Sequence, residues 1–329
     1  VMGSHMDIMK HGDRFVPASG GRTPGGADHS VAVDEKLPPL PPAGQVSVGV
    51  IDTGLVPHPW FGDHVVCPEQ ELDLLEVGHR DRHESGYLAD ADGHGTFVAG
   101  LILREAPTAR VIMRGVLDRT NERRDALGRH DDENVAKALS ELADNPDVKV
   151  INLSFAGGAF ADKPNNLYEV IKAIHERVAV VAAAGNGASD EPVWPAAYPE
   201  VISVGALDGS VFETRAGTPP LAKFSNSGDW VKAYALGVQV LGPFVDFDET
   251  RNGRDVYGIR PPQHFQGWTT WSGTSFASAL VSGQIAQMAI DSAGMSGAEA
   301  AREVLRNATN IFDSNAVWIR GRELTPLIS

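Results

Sequence analysis

The sequence is short of several things, and each shortage excludes something. It has one cysteine, Cys67, in 329 residues, so no disulfide can form within the chain. The lone thiol reads as a packed or incidental residue, not a reactive one. No run of roughly eighteen apolar residues occurs, so there is no membrane-spanning helix. Basic residues are scarce: 28 Lys and Arg stand against 43 Asp and Glu, a formal net charge of −15. Such a surface repels phosphate, which argues against nucleic acid and anionic membranes as partners. It would attract cationic peptides, although solubility alone accounts for it. The segment from Asp7 to Pro17 lacks an apolar core of signal-peptide length. With the single thiol, this leans towards a cytoplasmic protein, unless a leader has been removed.

What is present suffices for one large domain, since 42% of the residues are hydrophobic. Gly-Ser-His-Met at 3–6 reads as a tag-removal scar, so residues 1–6 are set aside. Residues 7–44 are rich in Gly, Pro, Asp and Ser and end in Leu-Pro-Pro-Leu-Pro-Pro at 37–42. They form a flexible arm, too short and too poor in apolar residues for a folded prodomain. From 45 to 329, strand and helix patterns alternate. Val46–Ile51, Val111–Val116, Val148–Leu153, Val178–Ala183 and Val201–Ala206 are apolar β-rich runs, as in parallel strands buried on both faces. Val135, Ala138, Leu139 and Leu142 recur at helical spacing, as do Leu167, Val170, Ile171 and Ile174. A long helix is expected from about Thr274 into Ile285–Ile290. Ser296 and Glu299 form a capping box for a last helix. No internal repeat is visible. The expectation is a single α/β domain: a doubly wound, mostly parallel central sheet with helices on both faces.

Three segments carry chemistry. They are Val-Gly-Val-Ile-Asp-Thr-Gly at 48–54, Asp-Gly-His-Gly-Thr-Phe-Val-Ala-Gly at 92–100, and Ser-Gly-Thr-Ser-Phe-Ala-Ser at 272–278. Each sets one polar residue among small ones: Asp52, His94 and Ser275. A serine hydroxyl becomes a useful nucleophile when a base takes its proton, and a buried carboxylate holds that base in the right tautomer. Singly, each has a plain structural explanation: a strand-end cap, a helix-start histidine, a helix-start serine. Asp-Thr-Gly also suits an aspartic protease, but that needs a second such carboxylate and none occurs. A fourth segment, Val180–Asn186, ends an apolar strand in Gly-Asn. That pair alone suits a turn; beside the triad, Asn186 suits an oxyanion donor, with the Ser275 N–H as the second.

In this order and with these flanks, the chain resembles the subtilisin-like serine proteases over roughly 45–310. The resemblance implies a serine endopeptidase working through an acyl-enzyme, with Asp52, His94 and Ser275 as triad and Asn186 as oxyanion donor. It implies a peptide bound as an added strand, between Ser154-Phe155-Ala156-Gly157 and Ala183-Ala184-Gly185, with Val193 near the floor of the first pocket. Phe155 is equally explained as a core residue. The chemistry requires no cofactor. Structural calcium is conceivable, but Trp60 stands where relatives have an aspartate ligand, and an indole offers calcium nothing. His79, Asp81, His83 and Glu84 read as a solvated loop before a metal site. Ala279 replaces a usual proline and suits a helix. Residues 243–270 form a long acidic and aromatic insert before Ser275, either a lid or a decorated surface loop. Two other functions stay open: a peptide ligase or macrocyclase using the same triad, and an inactive peptide-binding scaffold.

Overall fold

A computed structural model describes residues 16–17, 36–42, 44–73, 91–117, 130–156, 166–209, 219–248, 264–310 and 316–319. Its centre is a nine-stranded sheet. In chain order the strands are β2 (Ser47–Asp52), β3 (Val65–Val66), β4 (Arg110–Gly115), β5 (Val148–Leu153), β7 (Ala179–Ala183), β8 (Ile202–Leu207), β9 (Ala233–Leu236), β12 (Thr309–Asn310) and β13 (Val317–Trp318). Their order across the sheet is β12-β13-β9-β8-β7-β5-β2-β4-β3. All neighbours run parallel except β12 and β13. The five strands expected from the sequence are present, each within one residue of its expected bounds.

The strands bury both faces, and their alternation sorts side chains between two cores. Val150 and Val181 join a cluster with Phe97, Leu101, Phe276, Val281 and Ile285. Their neighbours Ile151, Val180 and Ala182 join one with Val135, Leu139, Leu167 and Ile171. This is period-two geometry acting on continuous apolar runs. Helices α1 (His94–Glu105), α4 (Thr274–Asp291) and α5 (Gly297–Asn307) supply the first layer. Helices α2 (His130–Ala143) and α3 (Asn166–Ile174) supply the second. The sheet is therefore doubly wound. The capping box of α5 forms as expected: Ser296 Oγ accepts from Glu299 N, and the Glu299 carboxylate accepts from Ser296 N.

The insert is more regular than expected. Strands β10 (Val240–Asp248) and β11 (His264–Trp271) pair as an antiparallel hairpin with an irregularity between Pro243 and Asp246. Phe244, Phe265 and Trp271 are buried against α1 and α4, so apolar packing gives these strands a face to cover. Trp60 packs edge-on to Trp268 of this hairpin. Two further strands lie outside the sheet: β1 (Val16–Pro17) pairs antiparallel with β6 (Phe155–Ala156).

Among the described residues, no helix is long and apolar enough to cross a membrane, and no three His, Cys, Asp or Glu side chains are grouped to hold a metal. His79, Asp81, His83, Glu84 and Gly157 fall outside those residues.

Cys67 is half-buried beside Glu71, and its Sγ–H points at the Glu71 carbonyl, 3.5 Å away. Burial and then the Glu71 charge push its thiol up to about 11. At neutral pH almost no thiolate is present, and thiolate is the reactive form. Iodoacetamide at pH 7.5 should alkylate the native protein far more slowly than a free thiol. Mass spectrometry follows this directly; alkylation as fast as free cysteine would contradict it.

Candidate active site

The chain passes from β2 outward to β3 and β4 on one side, then to β5, β7, β8 and β9 on the other. The order reverses around β2, and open α/β sheets place ligand sites at the carboxyl ends of strands beside such a switch. Asp52 is the last residue of β2, Ser154 follows β5, and Ala184, Gly185 and Asn186 follow β7. Their convergence is a consequence of parallel winding.

His94 opens α1 and is completely buried, as is Asp52. His94 Nδ1 lies 2.7 Å from Asp52 Oδ1. The carboxylate is itself held: Thr53 N donates to Oδ1 at 2.7 Å. Two further clips tie the first turn of α1 to the segment after β2. Gly95 N donates to Thr53 Oγ1 at 3.2 Å, and Val56 N donates to Thr96 Oγ1 at 2.7 Å. A Cβ on Gly95 would sit 2.2 Å from the Gly54 carbonyl oxygen, so glycine is what lets the two segments close on one another. Gly93, left-handed at φ 72°, accommodates Phe244 in the same way. It donates its N–H to buried Asp73 Oδ2 at 3.1 Å. The imidazole is walled by Trp271 and Phe276, with ring centroids 5.6 Å away in each case.

Ser275 is the second residue of α4 and is buried. Its Oγ–H donates to the Ser154 carbonyl at 2.9 Å. A polar network beneath fixes this helix end to β5. Ser154 Oγ donates to Asn152 Oδ1 at 2.6 Å, Asn152 Nδ2 donates to Ser282 Oγ at 3.0 Å, and Ser278 Oγ donates to the Ser275 carbonyl at 2.8 Å. Sequence reasoning missed Asn152 and Ser282. Ser282 could have been placed on the face of Ser275 and Ser278, which it shares at i, i+3, i+7, but nothing in the sequence links that face to Asn152.

Asn186 is oriented without ambiguity. Thr274 N, which can only donate, points at Asn186 Oδ1 at 3.0 Å, and Thr274 Oγ1 donates to the same oxygen at 2.9 Å. The Nδ2 end must therefore face away. Thr274 Oγ1 in turn accepts from Gly185 N at 3.1 Å. Thr274 was the other residue that the motifs did not single out.

Three buried polar atoms here have no hydrogen-bond partner among the described residues: His94 Nε2, Asn186 Nδ2 and Asp52 Oδ2. Unpaired buried polar groups are costly, and a catalytic role is one reason for a protein to keep them.

The other expected residues lie around this centre. β5 and β7 are neighbours, so the Ser154–Ala156 and Ala183–Gly185 segments lie side by side. Asn226 ties down the second: it donates Nδ2–H to the Ala184 carbonyl and N–H to the Gly185 carbonyl, each at 2.9 Å. Phe155 is fully buried in the cluster with α2 and α3, so its side chain serves the core and its backbone serves β6. Val193 is half-buried, whereas Asp190 and Glu191 are exposed.

Comparison with known proteins agrees with this layout. The model of the subtilase family matches residues 43–319. A thermophilic serine proteinase of Bacillus sp. strain AK1 is 29% identical over 280 residues, 84% of this chain and 59% of that protein. This chain thus spans about three fifths of that relative. Subtilisin DY of Bacillus licheniformis is 30% identical over 280 residues, covering 82% of this chain and 85% of its own. The solved structure of the prenylagaramide maturation protease PagA superposes with a TM-score of 0.58 at 25% identity, over 82% of this chain and 85% of that one.

Proposed function

The chain belongs to the subtilase family, and we propose that it is a serine endopeptidase hydrolysing peptide bonds through an acyl-enzyme on Ser275. The observation that carries this reading is the set of partnerless atoms. His94 Nε2 is left free to take a hydroxyl proton, and Asn186 Nδ2 is left free to donate to an oxygen. A serine hydroxyl and a peptide carbonyl provide both.

In this scheme the Ser275 hydroxyl rotates from the Ser154 carbonyl to His94 Nε2, a rotamer change about one bond. Oγ attacks the scissile carbonyl carbon as His94 takes its proton. Asp52 remains ionised, keeps the Nδ1 proton in place, and stabilises the imidazolium. Negative charge on the former carbonyl oxygen is met by Asn186 Nδ2 and by the Ser275 N–H at the start of α4. His94 then gives its proton to the leaving amine, and water releases the acyl group by the reverse route. All the groups in the scheme come from the protein, with no cofactor. The substrate is a peptide or protein lying as an extended strand, not nucleic acid or membrane. PagA's description as a maturation protease raises the second reading, transfer of the acyl group to an amine. The aromatic wall of Trp271 and Phe276 beside His94 favours it only so far as it keeps water out. Mass spectrometry of the products separates hydrolysis from transfer.

Asn186→Ala should lower kcat ~10²–10³ with little change in KM, as removal of such a donor does in subtilisin. Thr274→Val keeps one of the two bonds to Oδ1, so its loss should be about tenfold or less. A raised KM with kcat intact in Asn186→Ala would make Asn186 a binding residue.

In this reading the first pocket lies between the Ser154–Ala156 and Ala183–Gly185 segments, which carry no charged side chain, and burying an unpaired charge is costly. Profiling with a peptide library should favour uncharged residues before the scissile bond. Dominance of Arg or Lys there would refute this. If Asp190→Asn or Glu191→Gln abolished that basic preference, the exposed carboxylate would be its cause.

A further inference from the structure

We propose that Asn226 is a positioning residue of the oxyanion site: its side chain fixes the turn that carries Asn186, and so sets where Asn186 Nδ2 lies. This rests on the protease reading above. Asn226 sits between β8 and β9 and is 1% exposed. Its Oδ1 accepts from Gly187 N at 2.9 Å and from Ser189 N at 3.1 Å. Both partners can only donate, which assigns the amide oxygen. Nδ2 then faces the Ala184 carbonyl, which can only accept, at 2.9 Å. One side chain thus grips the chain on both sides of Asn186, two residues before it and one and three residues after it. The Asn226 N–H adds a bond to the Gly185 carbonyl at 2.9 Å. Neighbouring bonds complete the seam: Ala188 N donates to the Phe224 carbonyl at 2.8 Å, and Ser227 N to the Ser189 carbonyl at 3.0 Å.

Apolar packing does not hold this turn. Its one apolar side chain, Ala188, is exposed and joins no core cluster. Ala188 is also left-handed, at φ 50°. An alanine stays in that region only where its surroundings over-determine it, and here those surroundings are the bonds to Asn226 and Phe224.

The Asn186 carboxamide therefore has two anchors. Thr274 orients the amide through Oδ1, and Asn226 places the backbone from which it hangs. Both are needed, because an oxyanion donor must end about 2.7–3.1 Å from an oxygen that exists only in the transition state. A shift of about 1 Å in such a group can cost ~10²-fold in rate.

The test is a double-mutant cycle in the full chain, with folding followed by the thermal midpoint. Asn226→Ala removes the three side-chain bonds and keeps the backbone one. We expect kcat on a library peptide to fall about 10–100-fold with little change in KM. In an Asn186→Ala background no carboxamide remains to be misplaced, so adding Asn226→Ala should cost less than about threefold more. A residue that merely supports the fold would cost the same in both backgrounds, and equal losses would overturn the inference. An unchanged kcat would overturn it too. So would a raised KM with kcat intact, which would make Asn226 a support of the substrate-binding wall. If Asn226→Ala does not fold, the same cycle is run with Asn226→Asp, which keeps the acceptor for Gly187 and Ser189 and loses the donor to Ala184. A parent that hydrolyses peptides and is labelled at Ser275 by a fluorophosphonate probe keeps the protease reading whichever way the cycle falls. A parent that does neither ends that reading, and this inference with it.

Discussion

Ser275→Ala should reduce peptide hydrolysis by ~10⁶ in kcat, the loss that removal of the serine hydroxyl causes in subtilisin. Among the described residues, the neighbouring serines of the helix cannot substitute for that oxygen. Ser278 and Ser282 share the helix face, but their hydroxyls donate to the carbonyls of Ser275 and Ser278, so they are committed to the backbone. The variant should stay folded, because the network that ties the start of this helix to β5 does not use Ser275 Oγ: Ser154 Oγ still donates to Asn152 Oδ1, and Asn152 Nδ2 to Ser282 Oγ. Hydrolysis of a fluorogenic peptide measured over enzyme concentrations, beside an unchanged thermal midpoint, tests the point. Activity within tenfold of the parent would remove Ser275 from the mechanism. A small residual rate is expected, since Asn186 and the Ser275 N–H remain to stabilise the oxyanion.

The second large effect is at Asp52. Asp52→Ala should lower kcat ~10⁴, again by the subtilisin precedent. The structure adds a distinction. Oδ1 accepts from both Thr53 N and His94 Nδ1, so in Asp52→Asn the Thr53 N–H selects the carboxamide oxygen for that position. The His94 tautomer is then preserved while the charge is lost. Asp52→Asn should therefore retain more activity than Asp52→Ala. The gap between them measures orientation, and the remaining loss measures stabilisation of the buried imidazolium. Equal kcat in the two variants would show that charge alone matters. Retention of kcat within tenfold in Asp52→Ala would show that His94 does not depend on this carboxylate.

The arrangement also explains why the partnerless atoms persist. The elements that carry them are held from the side away from the reacting centre. Asn152, Ser154, Ser278 and Ser282 fix the base of α4, Thr274 fixes the Asn186 amide, and Thr53 and Thr96 fix α1. Asp52, His94 and Asn186 each have one polar end bonded and the other buried without a partner among the described residues. Such preorganisation is what electrostatic catalysis requires, because nothing has to reorient when charge develops.

Much of this was determined by the sequence alone. The continuous apolar runs dictated strands buried on both faces, and the intervening helical spacing dictated their winding, because burial and periodicity are local properties of residue order. Asp52, His94, Ser275 and Asn186 stood out because each sits among small residues, Asp52 and Asn186 at the end of such a run and His94 and Ser275 at the start of a helical pattern. Other features required the tertiary structure. The hairpin of β10 and β11 read as an irregular insert, since its strands take their face from α1 and α4, which are distant in sequence or follow it. Phe155 could be pocket or core until its side chain was seen among α2 and α3. Thr274, Asn152 and Ser282 gained their roles only when β5, β7 and α4 met. The pairing of Val16–Pro17 with Phe155–Ala156 was invisible, because a two-residue strand has no period to detect and its partner lies almost 140 residues away. Local pattern fixes which elements form. Which polar atoms end up facing one another depends on contacts between segments far apart in the chain, and these arise only on folding.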